Sequence, residues 1–193
     1  MSSLSLSKGG NLSLTKADPG LERAMIGLGW DPRTTSGDSF DLDASALLLS
    51  SSGKVRSQAD FIFYNQLATP DGAVVHQGDN RTGAGDGDDE KILIDLTLVA
   101  DDVDRIVIVV SIDQADARHQ NFGQIRDAFC RVVNQDTDRE VVRYDLSEDA
   151  ASETSMIFAE IYRNRGEWKF RAVGQGYASG LYGIATDFGI ALD

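Results

Sequence analysis

A two-residue period of apolar side chains, recurring in short segments along most of the chain, limits the fold more than any other feature. In Phe40–Leu49, Leu42, Ala44, Ala46 and Leu48 share one face, while Asp41, Asp43 and Ser45 open the other. Val141–Tyr144 alternates as well, and Met156–Tyr162 places Met156 and Phe158 on one side with Ile157, Ala159 and Ile161 on the other. Trp168, Phe170 and Ala172 alternate with Lys169, Arg171 and Val173, and the intervening Arg163–Gly166 reads as a hairpin turn. Ala24–Trp30, Phe61–Tyr64 and Ile92–Leu96 are further short strands. Ile106–Ile112 is β-branched and apolar on both faces, which predicts a central strand covered on both sides. Gln124–Asn134 fits a strand or a short helix, and Tyr177–Phe188 carries Tyr177, Leu181, Ile184, Ala185 and Phe188 at helical spacing. Short strands separated by turns, without the strand-and-helix alternation of a parallel sheet, predict a mainly β fold: an antiparallel β-sandwich with a few short helices.

The 193 residues show no linker and no long repeat, so one domain over residues 1–193 is expected. Their formal net charge is −13, from 31 acidic and 18 basic side chains. Such a surface repels nucleic acid and anionic membranes and attracts cations. The single cysteine, Cys130, allows no internal disulfide. No apolar run approaches the roughly 20 residues of a transmembrane segment. Met1–Leu14 lacks the basic start and continuous apolar stretch of a secretory signal. A soluble, cytoplasmic protein is the expectation.

Chemistry concentrates in residues 78–90, Gly-Asp-Asn-Arg-Thr-Gly-Ala-Gly-Asp-Gly-Asp-Asp-Glu. Asp79, Asp86, Asp88, Asp89 and Glu90 crowd five carboxylates into thirteen residues opposed only by Arg81, while four glycines permit tight turns. A divalent cation relieves that repulsion. Calcium takes about six to eight oxygen ligands, from carboxylates, amides and carbonyls, all of which the loop supplies. Further oxygen donors lie upstream: Asp41 and Asp43, two apart on a predicted strand, Asp31 after the strand ending at Trp30, and Asn65 after Phe61–Tyr64. Strand ends gathered at one edge of a sandwich could bring them to the loop. Zinc and copper sites favour His or Cys, and His76, His119 and Cys130 lack ligand spacing. The loop is no EF-hand, because Arg81, Gly83 and Ala84 occupy its third, fifth and sixth positions.

The run Gly78–Glu90 resembles the signature loop of the TerD family of tellurium-resistance and stress-response proteins. Asp41-Leu-Asp43-Ala-Ser45, Trp30-Asp31, Phe61-Ile-Phe63-Tyr64-Asn65, Gln120-Asn121-Phe122 and the opening Leu4-Ser-Leu6-Ser-Lys8-Gly9 resemble further landmarks of that family. The resemblance implies a bacterial cytoplasmic β-sandwich that binds about two calcium ions at one acidic end. It implies metal ligands among Asp31, Asp41, Asp43, Asn65, Asp79, Asn80, Asp86, Asp88, Asp89 and Glu90, with main-chain carbonyls near Thr82 and Gly83.

The leading functional expectation is a non-enzymatic calcium-binding module, a sensor or scaffold that presents its ordered surface to a protein partner. The alternative is a metal-dependent enzyme of phosphoester chemistry at the same acidic site. No nucleophile pairs with His76 or His119, which read as surface or loop residues. Cys130 reads as a small buried hydrophobe. The basic hairpin of Arg163, Arg165, Lys169 and Arg171 reads as a solvated face.

Overall fold

The alternating segments assemble into two six-stranded sheets in the computed structural model, which describes residues 3–32, 40–78, 87–146 and 152–191. In chain order the strands are β1 (Leu4–Leu6), β2 (Asn11–Ser13), β3 (Arg23–Pro32), β4 (Leu42–Leu49), β5 (Phe61–Ile62), β6 (Val74–His76), β7 (Glu90–Asp95), β8 (Arg105–Ile112), β9 (Ile125–Asn134), β10 (Arg139–Asp145), β11 (Ser155–Asn164) and β12 (Glu167–Tyr177). Three short helices accompany them: α1 (Leu14–Ala17), α2 (Ala115–Arg118) and α3 (Gly180–Asp187). One sheet runs β1-β10-β9-β3-β7-β6 and the other β2-β12-β11-β8-β4-β5. Every ladder between these strands is antiparallel except that of β1 on β10. The Ser/Leu-rich start thus supplies an edge strand to each sheet. The chain crosses between them at Gly9, whose N–H donates to the Ala172 carbonyl at 2.8 Å.

Period-two patterning places Ile26, Leu28, Ile92 and Ile94 of the first sheet against Leu42, Ala44, Ile108, Phe158 and Phe170 of the second, all fully buried. The second sheet is apolar on its other face too. There Leu47, Leu49, Val107, Val109 and Ile157 pack beneath Ile184 and Ala185 of α3. This explains why β8 is apolar on both sides, as its sequence predicts. The tail is helical over part of the expected span, since Tyr177 still belongs to β12. Gln124–Asn134 is a strand from Ile125 onward, Gln124 closing a short 3-10 turn. The β11–β12 turn centres on Arg165 (φ 53) and Gly166 (φ 78), the left-handed pair that a two-residue hairpin needs.

Two strand readings need correction. Phe61–Tyr64 is a strand only as far as Ile62, because Phe63 and Gln66 exchange backbone hydrogen bonds of 3.0 and 2.9 Å that close a turn. In β11 the expected alternation fails after Ile157. A bulge between Ile157 and Ala159 shifts the phase, so Met156, Phe158, Ala159 and Ile161 all enter the inter-sheet core. Cys130 is buried as expected, and burial pushes its thiol pKa up, which makes it a packing group rather than a nucleophile. Among the described residues no helix is long and apolar enough to cross a membrane.

Candidate metal centre

The acidic segment joins two paired antiparallel strands, β6 and β7. β6 and β7 pair from Val74↔Ile94 to His76↔Ile92, and Gln77 N–H donates to the Lys91 carbonyl at 3.0 Å. Of the expected ligands, Asp79, Asn80, Thr82, Gly83 and Asp86 lie outside the described residues. The returning arm, Gly87 to Glu90, is defined in detail, and its three acidic side chains go to three different places.

Glu90 faces inward with Ile92 and Ile94. Its Oε2 stands 3.2 Å from His76 Nε2, both side chains being essentially inaccessible. His76 Nδ1 accepts the Gly78 N–H at 3.0 Å, which leaves Nε2 as the protonated nitrogen, 3.1 Å from the Ala44 carbonyl on β4. His76 is therefore not the surface or loop residue that the sequence suggests. It shares the inward side of β6 with Val74, and it ties the base of the hairpin both to Glu90 and to the opposite sheet.

Asp88 turns outward across β3, directly over Gly27. Its two oxygens accept from Arg131 Nε at 2.7 Å and Nη2 at 2.9 Å, and Arg131 Nη1 reaches Glu140 at 2.9 Å. The Asp88 side chain is 2% exposed. Gly27 and Gly29 make room for this arm. A methyl group on Gly27 would overlap the Asp88 carboxyl, and one on Gly29 would overlap the Phe129 ring and approach the Gly87 carbonyl to 2.8 Å. Gly27 and Gly29 are thus sites of close approach in a strand.

Asp89 continues the β3 ladder. Its N–H donates to the Leu28 carbonyl at 2.7 Å, and its Oδ2 accepts the Trp30 N–H at 2.9 Å. Burial raises the Asp89 carboxyl above its ordinary range, the Trp30 bond opposes the rise, and the charges of Asp31, Asp88 and Glu90 add to it. Asp31, exposed at the end of β3, joins Asp89 around a cavity of about 260 Å³ that Trp30, Asp127, Phe129 and Arg143 also line. Asp127 escaped sequence reasoning. A register shift between Gly29 and Asp31 on β3 accompanies a left-handed Asp127 (φ 52) on β9, so Arg126 and Asp127 both point outward between buried Ile125 and Ala128. The one available signal was that adjacent polar pair breaking an otherwise apolar run.

The upstream donors lie at the same end of the sandwich. β4 begins there at Leu42, opposite Ile112, and the bond from His76 to Ala44 joins it to the hairpin. Asp41 is buried just before β4, its carbonyl accepting the Asp113 N–H at 2.8 Å, and half-buried Asp43 faces Ser111 across the ladder. Asn65 is exposed in the Phe63–Gln66 turn. The structure therefore brings Asp31 and Asp89 into one cavity and commits both Asp88 oxygens to Arg131. It leaves Asp41, Asp43 and Asn65 on the neighbouring sheet. Among the described residues no three His, Cys, Asp or Glu side chains form a ready metal-binding group.

Comparison with known proteins gives one consistent result. The family model described as TerD domain matches residues 1–188. The chain is 60% identical over 188 residues to the tellurium resistance protein TerD of Serratia marcescens, covering 97% of this chain and 98% of that one. It is 52% identical to general stress protein 16U of Bacillus subtilis, covering 97% of each. The crystal structure of a homologue of the telluride resistance protein TerD from Streptomyces coelicolor A3(2) superposes with a TM-score of 0.71 at 25% identity, covering 90% of this chain and all of that one.

Proposed function

The chain belongs to the TerD family, which includes tellurium-resistance and stress proteins, and from that premise we propose that it is a calcium-binding module of the stress response. It works in the cytoplasm without catalysis of its own, as a sensor or scaffold whose ion-loaded acidic end is offered to a protein partner. The observation that carries this reading is the electrostatic conflict at Asp89: a carboxylate held by the Trp30 N–H beside Asp31, Asp88 and Glu90, with its proton affinity raised by burial and by those charges. The donors are all hard oxygens, which fits calcium and not a thiophilic metal. Asp31 and Asp89 would hold an ion on the first sheet, and Asp41, Asp43 and Asn65 are donors toward a second. Asp79, Asn80, Asp86 and carbonyls near Thr82 and Gly83, outside the described residues, are the further donors that the family resemblance implies. Asp88 and Glu90 take the role of anchors here, fixing the returning arm to Arg131 and His76. Bound calcium would neutralise the crowded charge.

Thermal unfolding tests this reading. Calcium at about 100 times its Kd should stabilise chelator-treated protein by about 2.7 kcal/mol, or roughly 5–10 °C for a chain of this length. Asp89→Asn should separate the two effects. Because the folded-state pKa of Asp89 lies above its unfolded value, its charge opposes folding once pH rises through that value, and protonation relieves the cost as pH falls. The neutral amide imitates the relieved state, so the metal-free variant should be at least as stable as the parent while losing most of the calcium-induced gain. A variant that is destabilised without metal and stabilised by calcium as strongly as the parent would contradict the assignment.

A further inference from the structure

The first sheet carries an apolar row on the face turned away from the core. Met25 on β3 stands opposite Val133 on β9 and Leu93 on β7, and Leu93 stands opposite Val75 on β6. Their chain neighbours Ile26, Val132, Ile92 and Val74 all enter the inter-sheet core, so these four side chains point outward. None of the four belongs to either hydrophobic core, and Met25, Leu93 and Val75 are partly exposed. At about 4.8 Å per strand the row spans roughly 14 Å, and Ala68, bridged to Val75, extends it by one more backbone. The second sheet hides its own outer apolar residues beneath α3, and α1 also lies against that sheet. No described helix makes a comparable contact with β3, β6, β7 or β9.

The charges beside the row select its partner. On β7 the outward positions are Lys91, Leu93 and Asp95, so the row has a cation on one side and an anion on the other. Lys91 is exposed, and half-buried Asp95 accepts from Thr97 through Oδ1. On β3, Arg23 lies on the Asp95 side, and Gly27, beneath the Asp88 carboxyl, lies on the Lys91 side. Opposite charges on the two sides make the face complementary to itself. We propose that it pairs with the same face of a second copy about a two-fold axis running along the row. That axis exchanges the two sides: Lys91 comes opposite the partner's Asp95, and Arg23 opposite the partner's Asp88. An axis parallel to the strands would set the Lys91 side against itself. The interface is isologous and closes at two copies, with the sheets about 10 Å apart and their strands within about 30° of each other. Burial of the apolar row supplies the attraction, and the flanking charges fix the register. The formal charge of −13 on each copy opposes association, which keeps the dimer weak. The proposal does not rest on calcium binding.

Sedimentation equilibrium at about 0.15 M salt, where charges are screened beyond about 8 Å, provides the test. The parent should show a monomer–dimer equilibrium with a Kd between about 1 μM and 1 mM, the weak range of a small interface. Leu93→Lys, at the centre of the row, should abolish it. Lys91→Glu makes both sides of β7 acidic and Asp95→Lys makes both basic, so either change alone should raise the Kd about tenfold or more. Mixed in equal amounts, these two variants should form a heterodimer at least as tight as the parent dimer, because positions 91 and 95 of each then meet opposite charges on the other. Thermal melting checks that each variant is folded, and restoration by mixing is a result that loss of structure cannot imitate. A parent that stays monomeric up to about 1 mM, a Leu93→Lys variant that dimerises like the parent, or folded charge variants whose mixture fails to associate would overturn the proposal.

Discussion

Replacing Arg131 by methionine is expected to lower the stability of the metal-free protein by about 3–5 kcal/mol, the cost of leaving a buried charge without its partner. Asp88 is the charge in question. It lies over β3 with 2% of its side chain exposed, and its counter-ion donates two N–H groups from the neighbouring strand. The reverse change should be milder. Asp88→Asn leaves a 28% exposed guanidinium still bonded to Glu140, and the loss should be about 1.5–3 kcal/mol. This asymmetry is the diagnostic result, read from denaturant midpoints in the presence of chelator. Equal, small losses for both variants would mean that Asp88 finds water when Arg131 is removed, and the anchoring role given to it would fail. Because the hairpin end is held through this pair, Arg131→Met should also weaken calcium binding although Arg131 can ligate no metal.

Gly27→Ala is expected to cost about 3 kcal/mol, the upper part of the range for overpacking. The added methyl meets a carboxyl group that bidentate bonding holds in place, so the clash cannot be relieved by a simple rotation. In an Asp88→Ala background the same substitution should be almost free, because the obstructing group is gone. The coupling between the two changes, measured by a double-mutant cycle, isolates the close approach of the acidic arm to β3. An additive pair would show that the arm does not lie on Gly27.

These two experiments also mark the limits of what could be read from the residues alone. The sandwich was legible because its strands are half-buried and repeat with period two, as in Leu42, Ala44, Ala46 and Leu48, all of which enter the inter-sheet core. Even the doubly covered β8 announced itself through β-branched residues on both faces. Bulges were not legible, since one inserted residue changes the phase without changing composition. That is why simple alternation puts Ala159 on the wrong face and gives no sign of Asp127 at the cavity. The burial of His76 is not legible either, because one polar residue at the end of a three-residue strand gives no sign of which partners await it across the sheets. The acidic loop stood out by charge density, but the separate destinations of Asp88, Asp89 and Glu90 depend on Arg131, Trp30 and His76, partners distant in the chain or brought close only by pairing of β6 with β7. The gathering of β3, β4 and the hairpin at one end was a reasonable inference from strand-end positions. Only strand order and register could place Asp31 with Asp89 and set Asp41 and Asp43 on the adjoining sheet.

The central claim is that this acidic end is built around a hard divalent cation. Calorimetric titration of chelator-stripped protein with calcium and with magnesium tests it most directly. Calcium should bind with a Kd of about 10⁻⁷–10⁻⁵ M, the range of sensor sites, and magnesium should bind more weakly because it gives up its own water reluctantly. Heats that reveal no binding of either ion below about millimolar concentration would contradict the account.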